Sequence, residues 1–345
     1  MTAPSAHTHT VAIITGSNTG LGYHCAELLI KNEVHLTKPV SKAVEDGAKP
    51  FHLILACRNK DKAEAAVRKL TELAASQERT KSFIIEYGIL DLGSLESVRA
   101  FAKWFLEKNI PLNILLNNAG LAVSAYATTK DGLEITLGTN HFGHFLLTML
   151  LLDKLIAAGP GARIVNVSSE LHLNAQERDH AQVPCPNFDF KTATVESFSA
   201  QYPFREKYVG LAAYSSSKVA NVLFTLQLAK FLEVHRKVLP EQLSVTALTP
   251  GWVPTTEFTR DSPYIMQLLM RYVFPWILPR IRTEDQGSSV LVKAAFTKEA
   301  HGQSAKYMNQ FGEWDTPSAD ARDEHSQKNL WNCSCEIVGL TQYKL

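Results

Sequence analysis

Thr15-Gly16-Ser17-Asn18-Thr19-Gly20-Leu21-Gly22 follows the short apolar run Val11 to Thr15 and opens the amphipathic stretch Leu21 to Lys31. Strand, glycine turn and helix come in that order, and the order decides the fold. Glycines permit a tight strand-to-helix turn and let a pyrophosphate approach the backbone closely. The charge of such a group then sits against the free N–H groups at the helix N-terminus. A glycine-rich turn by itself is common, and its weight here comes from its place after the first strand.

Outward from that turn, short runs rich in β-branched or apolar residues alternate with helical patterns. Strands are expected at Val11 to Thr15, His52 to Cys57, Ser82 to Glu86, Ile114 to Asn117, Arg163 to Ser168 and Leu243 to Thr249. Several are nearly continuous apolar runs, as suits strands buried on both faces. Helices are expected at Leu21 to Lys31, Asp61 to Gln77, Leu95 to Lys108, Leu133 to Leu155 and Ala213 to Leu232. The alternation predicts an α/β fold, a doubly wound parallel sheet of Rossmann type.

A chain of 345 residues has length for two domains, yet no repeat, low-complexity tract or composition shift marks a boundary. The expectation is one domain, 1–345, with its core at 10–255. The additions to it are 31–51, 170–213, a substrate lid at 252–282 and a C-terminal extension at 299–345.

Apolar residues make up 45% of the chain and charged residues 20%, so there is material for a large core and no bias toward disorder. The net charge of +1 leaves no electrostatic footprint for a nucleic-acid or acidic-membrane partner. Cys25, Cys57, Cys185, Cys333 and Cys335 are odd in number and scattered, which supports neither a disulfide framework nor a zinc ribbon. Met1 to Thr10 lacks the basic and apolar regions of a signal peptide. The most apolar window, Ile265 to Ile281, is broken by Arg271, Pro275 and Pro279, short of the roughly 20 apolar residues of a spanning helix. These features point to a reducing, cytoplasmic setting with peripheral membrane contact left open.

The second strand ends in Ala56-Cys57-Arg58-Asn59-Lys60. A dinucleotide site for NAD places an acid there to bind the ribose 2′-hydroxyl, whereas a 2′-phosphate calls for arginine. The acid is missing and Arg58 is present, which favours NADP(H); the alternative is an ordinary solvated arginine. Further on, Tyr214-Ser215-Ser216-Ser217-Lys218 sets a phenol and an ammonium four residues apart, on one face of a helix. That pair follows Asn117-Asn118-Ala119-Gly120 and a strand running into Val167-Ser168-Ser169.

With those residues in view, the chain resembles the short-chain dehydrogenase/reductase family over residues 10 to 255. The glycine spacing of Thr15 to Gly22, Asn117 to Gly120, Ser169, Tyr214, Lys218 and Pro250-Gly251-Trp252-Val253-Pro254-Thr255 carry the resemblance together. Within the family it is most similar to the branch of retinol dehydrogenases, WW-domain oxidoreductases and protochlorophyllide reductases. Ala56-Cys57-Arg58, Thr139-Asn140-His141-Phe142-Gly143-His144-Phe145 and the tail from Leu330-Trp331 to Leu340 add to it.

The resemblance implies roles for these residues. Tyr214 is the acid/base for a carbonyl or alcohol oxygen. A free phenol ionises near pH 10, and a cation within about 4–6 Å can lower that by roughly 1–3 pH units, a charge Lys218 would supply. Lys218 would also hold the nicotinamide ribose. Ser169 would hydrogen-bond the substrate oxygen, with Ser168 as the alternative, and Asn140 would support a proton-relaying water. Gly16, Ser17, Asn18, Thr19, Gly20, Leu21 and Gly22 would cradle the pyrophosphate. Arg58, Asp91 and Leu92 would take the adenosine end. Asn117, Ala119 and Gly120 would line the ribose, and Pro250, Gly251, Val253 and Thr255 would border the nicotinamide.

His141 and His144 lie three apart on a helix without a third ligand, so no metal is expected and their place is the helix surface or a subunit contact. The family often pairs through the helices carrying Asn140 and Tyr214, so a homo-oligomer is possible in principle. The Met and aromatic stripe from Tyr264 to Leu278 reads as a pocket wall for a bulky hydrophobic substrate. The leading function is NADPH-dependent reduction of a hydrophobic ketone or aldehyde, with retinoid, sterol, fatty aldehyde and secondary-metabolite ketone as candidates. The alternatives are an oxidative retinol- or steroid-type alcohol dehydrogenase and a non-catalytic NADP(H)-binding sensor or scaffold.

Overall fold

The computed structural model describes residues 9–36, 50–174, 177, 184–199, 201–253 and 282–345. The glycine turn joins β1 (Thr10–Thr15) to α1 (Gly20–Lys31). There follow β2 (Phe51–Cys57), α2 (Lys60–Ser76), β3 (Phe83–Ile89), α3 (Leu95–Glu107) and β4 (Ile114–Asn117). After these come α4 (Ile135–Leu137), a π turn at Gly138–Phe142 and α5 (Gly143–Ala157). The second half holds β5 (Ala162–Val167), α6 (Gly210–His235), β6 (Leu243–Leu248), β7 (Lys306–Met308) and β8 (Trp314–Asp315). The strand order is β3-β2-β1-β4-β5-β6-β7-β8, parallel except for β8. The Rossmann-type doubly wound sheet is therefore present.

Alternation along each strand builds two cores. Ile13 and Ile54 face the layer of α3, α5 and α6, while Ala12, Ile14, Leu53 and Leu55 face α1, α2 and the helix Glu284–Phe296. Period-two side chains on a strand covered on both sides need apolar residues at every position, as the runs have.

The sheet extends past the expected core limit of 255, because β7 pairs with β6 through Thr246 to Leu248 and is followed by antiparallel β8. Its three residues lie in a stretch with no run of apolar side chains, so pairing rather than pattern makes it a strand. The C-terminal helix Glu324–Ile337 packs on α6, with Trp331 buried among Phe145, Phe224 and Phe231. The aromatic part of 170–213 forms a third cluster, in which Phe188, Phe190, Phe198 and Tyr202 stack against α6. The stretch α4 to α5, Ile135–Ala157, is long and apolar enough to cross a membrane, yet 83% of its most apolar window is buried inside the protein. Most of the expected lid, 254–281, and part of the 31–51 addition, 37–49, lie outside the described residues.

Candidate active site

The strand order reverses between β1 and β4, and the sequence-expected residues gather where those strands, β5 and β6 end at their carboxyl edges. Open α/β sheets bind ligands at that crevice. Gly16 has φ +65°, and a Cβ there would lie 2.9 Å from both Cα and Cβ of Ala119. Gly20 has φ +59° and open space around it, while a Cβ on Gly22 would lie 2.6 Å from Asn118 Nδ2. The turn thus hugs the Ala119 loop on one side and leaves room on the other. Thr19, the residue before α1, makes no side-chain cap to the first amides of the helix.

Ser17 and Asn117 use their side chains inside the fold. Ser17 Oγ donates to Ile14 O at 2.7 Å, and Asn117 Nδ2 donates to Thr148 Oγ1 and Asn166 Oδ1. Both side chains are thereby turned into the fold, and their backbones remain beside the turn. Asn18 and Leu21 are partly exposed along the turn. Arg58 is exposed just beyond β2, and Asn59 caps α2 by accepting from Lys62 N at 2.9 Å. Asp91 Oδ1 accepts from Gly93 N, and Leu92 is buried beneath Gly143. Gly120 has no side chain where a Cβ would lie 3.3 Å from Lys218 Nζ and 3.4 Å from Asn140 Oδ1.

His141 and His144 are both buried, which overturns the expectation of a helix surface or subunit contact. Burial holds both below the ordinary imidazole value, His141 at about 3 and His144 at about 4, so both are neutral near pH 7. His144 Nδ1 meets the carbonyl of Asn140, which can only accept, so its proton is on Nδ1. Nε2 then accepts from Thr15 Oγ1 at 2.9 Å. That hydroxyl in turn accepts the amides of Asn118 and Ala119, binding β1 to the turn after β4. His141 Nε2 bonds Ser334 Oγ on the C-terminal helix. No cluster of three or more metal-ligating side chains occurs among the described residues.

Tyr214 and Lys218 share a face of α6, with Nζ 5.1 Å from the centre of the tyrosine ring. Lys218 is buried and donates to Val167 O at 3.1 Å, and desolvation lowers its pKa to about 8. Burial pushes the Tyr214 hydroxyl above the ordinary phenol value, opposed by a hydrogen bond with Ser169. The lysine-driven lowering expected from sequence is thus not the dominant effect. The two serines separate cleanly: Ser168 is buried and donates to Lys218 O at 2.8 Å, while Ser169 is partly exposed and bonds Tyr214. Asn140 Nδ2 donates to Leu121 O and Ser217 Oγ, and its Oδ1 accepts Leu121 N. The π turn, in which Gly143 N reaches Gly138 O five residues back, sets Asn140 in that position.

Pro250, Gly251 and Val253 follow β6 beside the helix Glu284–Phe296; Thr255 lies outside the described residues. The sequence reading missed His172, Thr249, Tyr307 and Ser318, all buried just behind Ser169. No motif spacing announces them.

A family model described as short chain dehydrogenase matches residues 10–179. Mouse retinol dehydrogenase 12 is 33% identical over 331 residues, 96% of this chain and 86% of that protein. The chain belongs to the short-chain dehydrogenase/reductase family. Human polyprenol dehydrogenase is 32% identical over 97% of the chain and 87% of its own length. Human WW domain-containing oxidoreductase is 31% identical over 95% of the chain and 68% of its own length, so the expected branch is the one matched. Among solved structures, an uncharacterised Mycobacterium paratuberculosis protein shares 25% identity at a TM-score of 0.63, covering 98% of this chain and 97% of that one. L-sorbose reductase from Gluconobacter frateurii, solved with NADPH and L-sorbose, shares the fold at 18% identity and a TM-score of 0.58, over 88% and 95% of the two chains. This short-chain dehydrogenase/reductase is an oxidoreductase using a nicotinamide dinucleotide, and its open glycine turn with uncapped helix amides fits one.

Proposed function

We propose that this short-chain dehydrogenase/reductase is an NADPH-dependent reductase of hydrophobic ketones or aldehydes. The observation that carries the reading is the meeting of Ser169, Tyr214 and Lys218 at the end of β5, with the phenol held above its ordinary value. Gly16 to Gly22 would hold the pyrophosphate and Arg58 the 2′-phosphate, and Gly251 and Val253 would flank the nicotinamide. Bound there, the reduced cofactor would supply the hydride for the carbonyl carbon, and the chain's part is the proton.

Tyr214 keeps its proton at neutral pH and gives it to the carbonyl oxygen as negative charge develops there. Ser169 hydrogen-bonds the same oxygen and fixes it against the phenol. The phenolate left behind is stabilised by the Lys218 ammonium, about 5 Å from the ring. Because Lys218 loses its charge near pH 8, reduction should slow as pH rises through about 8. Asn140 keeps Leu121 in place, and it would support a relaying water beside Lys218.

A lipophilic substrate is supported by the apolar stripe 264–278 and by the relatives named for retinol and polyprenol. Those names also support a second reading, oxidation of a lipophilic alcohol, which needs Tyr214 as a base. Purified protein should consume NADPH, read at 340 nm, with lipophilic carbonyls such as retinal, a sterol ketone or a fatty aldehyde. Turnover only with NADP⁺ and the alcohols would favour the second reading. Cofactor binding without either reaction would mean a non-catalytic protein.

A further inference from the structure

Directly behind Ser169, four buried residues meet, His172 from the same loop and Thr249, Tyr307 and Ser318 from distant parts of the chain. His172 Nδ1 lies 2.6 Å from the carbonyl oxygen of Ser169, and His172 Nε2 accepts the backbone N–H of Ser318 at 3.1 Å. A carbonyl only accepts and an amide only donates, so the ring is neutral with its proton on Nδ1. His172 and Ser318 are fully buried, and the imidazole lies 4.7 Å from the Tyr307 ring. Beside it, Thr249 Oγ1 accepts the amides of Glu170 and Gly251 at 3.1 and 3.2 Å. The loop that carries Ser169 and the loop that borders the nicotinamide therefore share one hydroxyl.

Resting on the reading of Ser169 as the group that holds the substrate oxygen, we propose that His172 is a positioning residue. It locks the Ser169 carbonyl and thereby transmits the placement of the C-terminal extension to the serine hydroxyl. Ser169 is otherwise the partly exposed cap of a short 3-10 turn, Glu170–His172. Its Oγ must bond Tyr214 while accepting the amide of Leu171 at 3.2 Å. A peptide rotation at Ser169 would break that geometry; two donors of His172 oppose it, the backbone N–H at 3.1 Å and the imidazole Nδ1–H at 2.6 Å, and the imidazole is the one tied in turn to Ser318. Ser318 caps the short helix Ala319–Arg322, so the acceptor face of the imidazole is set by residues about 150 positions downstream.

Three substitutions separate positioning from simple packing. In His172→Asn the amide nitrogen occupies roughly the place of Nδ1 and keeps the bond to Ser169. In His172→Gln the side-chain amide reaches only the Nε2 end, and His172→Phe keeps the ring contact with Tyr307 but neither hydrogen bond. Positioning predicts that kcat for carbonyl reduction falls about tenfold to 100-fold in the Phe and Gln variants and is largely restored in Asn, with KM for NADPH unchanged in all three. Crystals of the variants with NADPH supply a readout independent of turnover. Ser169 Oγ should leave hydrogen-bond distance of the Tyr214 hydroxyl in Phe and Gln, and stay within it in Asn. The inference is overturned if kcat follows thermal stability rather than the Nδ1 donor, or if Ser169 keeps its place in the Phe variant. Should the wild-type protein reduce no carbonyl, the proposed function fails while the crystallographic comparison still decides the role of His172.

Discussion

The two halves of the sheet build their share of the site by opposite means. Around β1 and β4 the crevice is shaped by absent side chains. Gly16 lets the turn touch Ala119, Gly20 faces open space, and the α1 amides are uncapped. Around β5 and β6 it is shaped by buried polar side chains: Lys218 on Val167 O, Ser168 on Lys218 O, His172 on Ser169 O and Thr249 on two loop amides. Backbone amides preformed at a helix end suit a ligand that is the same in every turnover. Side chains, with their own donors, acceptors and rotamers, suit the place where protons move. Substitutions in the first half should therefore act on cofactor affinity and those in the second on rate.

The sharpest break in that comparison is Tyr214→Phe. Removing the proton donor should lower kcat by about 10²–10⁴-fold while NADPH affinity, followed by fluorescence titration, changes less than about threefold. A variant with full turnover would remove Tyr214 from the chemistry.

The glycines test the other half. Gly16→Ala places a side chain in a left-handed conformation and against Ala119, and should cost about 2–4 kcal/mol of stability, seen as a lowered denaturant midpoint. Gly20→Ala meets only the strain, about 1–2 kcal/mol, but its methyl enters the space proposed for pyrophosphate. It should weaken NADPH binding more than it lowers stability. Equal profiles for the two variants would mean that the open side of the turn is not the binding side.

A smaller effect is expected of Arg58→Ala. Losing one charge-assisted contact to a 2′-phosphate should reduce the preference for NADPH over NADH by about 10- to 100-fold, with kcat nearly unchanged. An unchanged preference would leave Arg58 as an exposed arginine and shift the choice of cofactor elsewhere.

The same contrast explains what could be read from the chain. The glycine turn, the Tyr214/Lys218 spacing and the six leading strands are local: each needs only neighbours along the chain to state its geometry. The register of Ser169 over Ser168 became decidable when Ser168 turned inward onto α6. His144 looked like a surface histidine because its partner, Thr15, is 129 residues away. β7 has three residues and exists as a strand because β6 lies beside it. His172, Thr249 and Ser318 carry no shared spacing at all, since a polar clamp built across three segments leaves no period in any of them.

The smallest effect lies at the seam between the halves, where α1 meets the helix Glu284–Phe296. His24 Nδ1 is 2.8 Å from Glu27 and Nε2 is 2.7 Å from Glu284, all about a quarter exposed. The hydrogen bonds to Glu27 and then Glu284 raise its pKa to about 9, against an ordinary value near 6.5. A group whose folded pKa is raised stabilises the fold fully below its unfolded pKa and loses that contribution as pH climbs through the folded one. His24→Gln should therefore lower stability at pH 6 by about 1–2 kcal/mol, after allowance for solvent screening. The gap should close between pH 7 and pH 10. Denaturant midpoints of both proteins across that range measure it, and a gap that persists at pH 10 would assign His24 a packing role. Because this pair joins helices outside the proton-transfer cluster, its substitution should leave kcat unaltered at pH 7, in contrast with every change made beside Ser169.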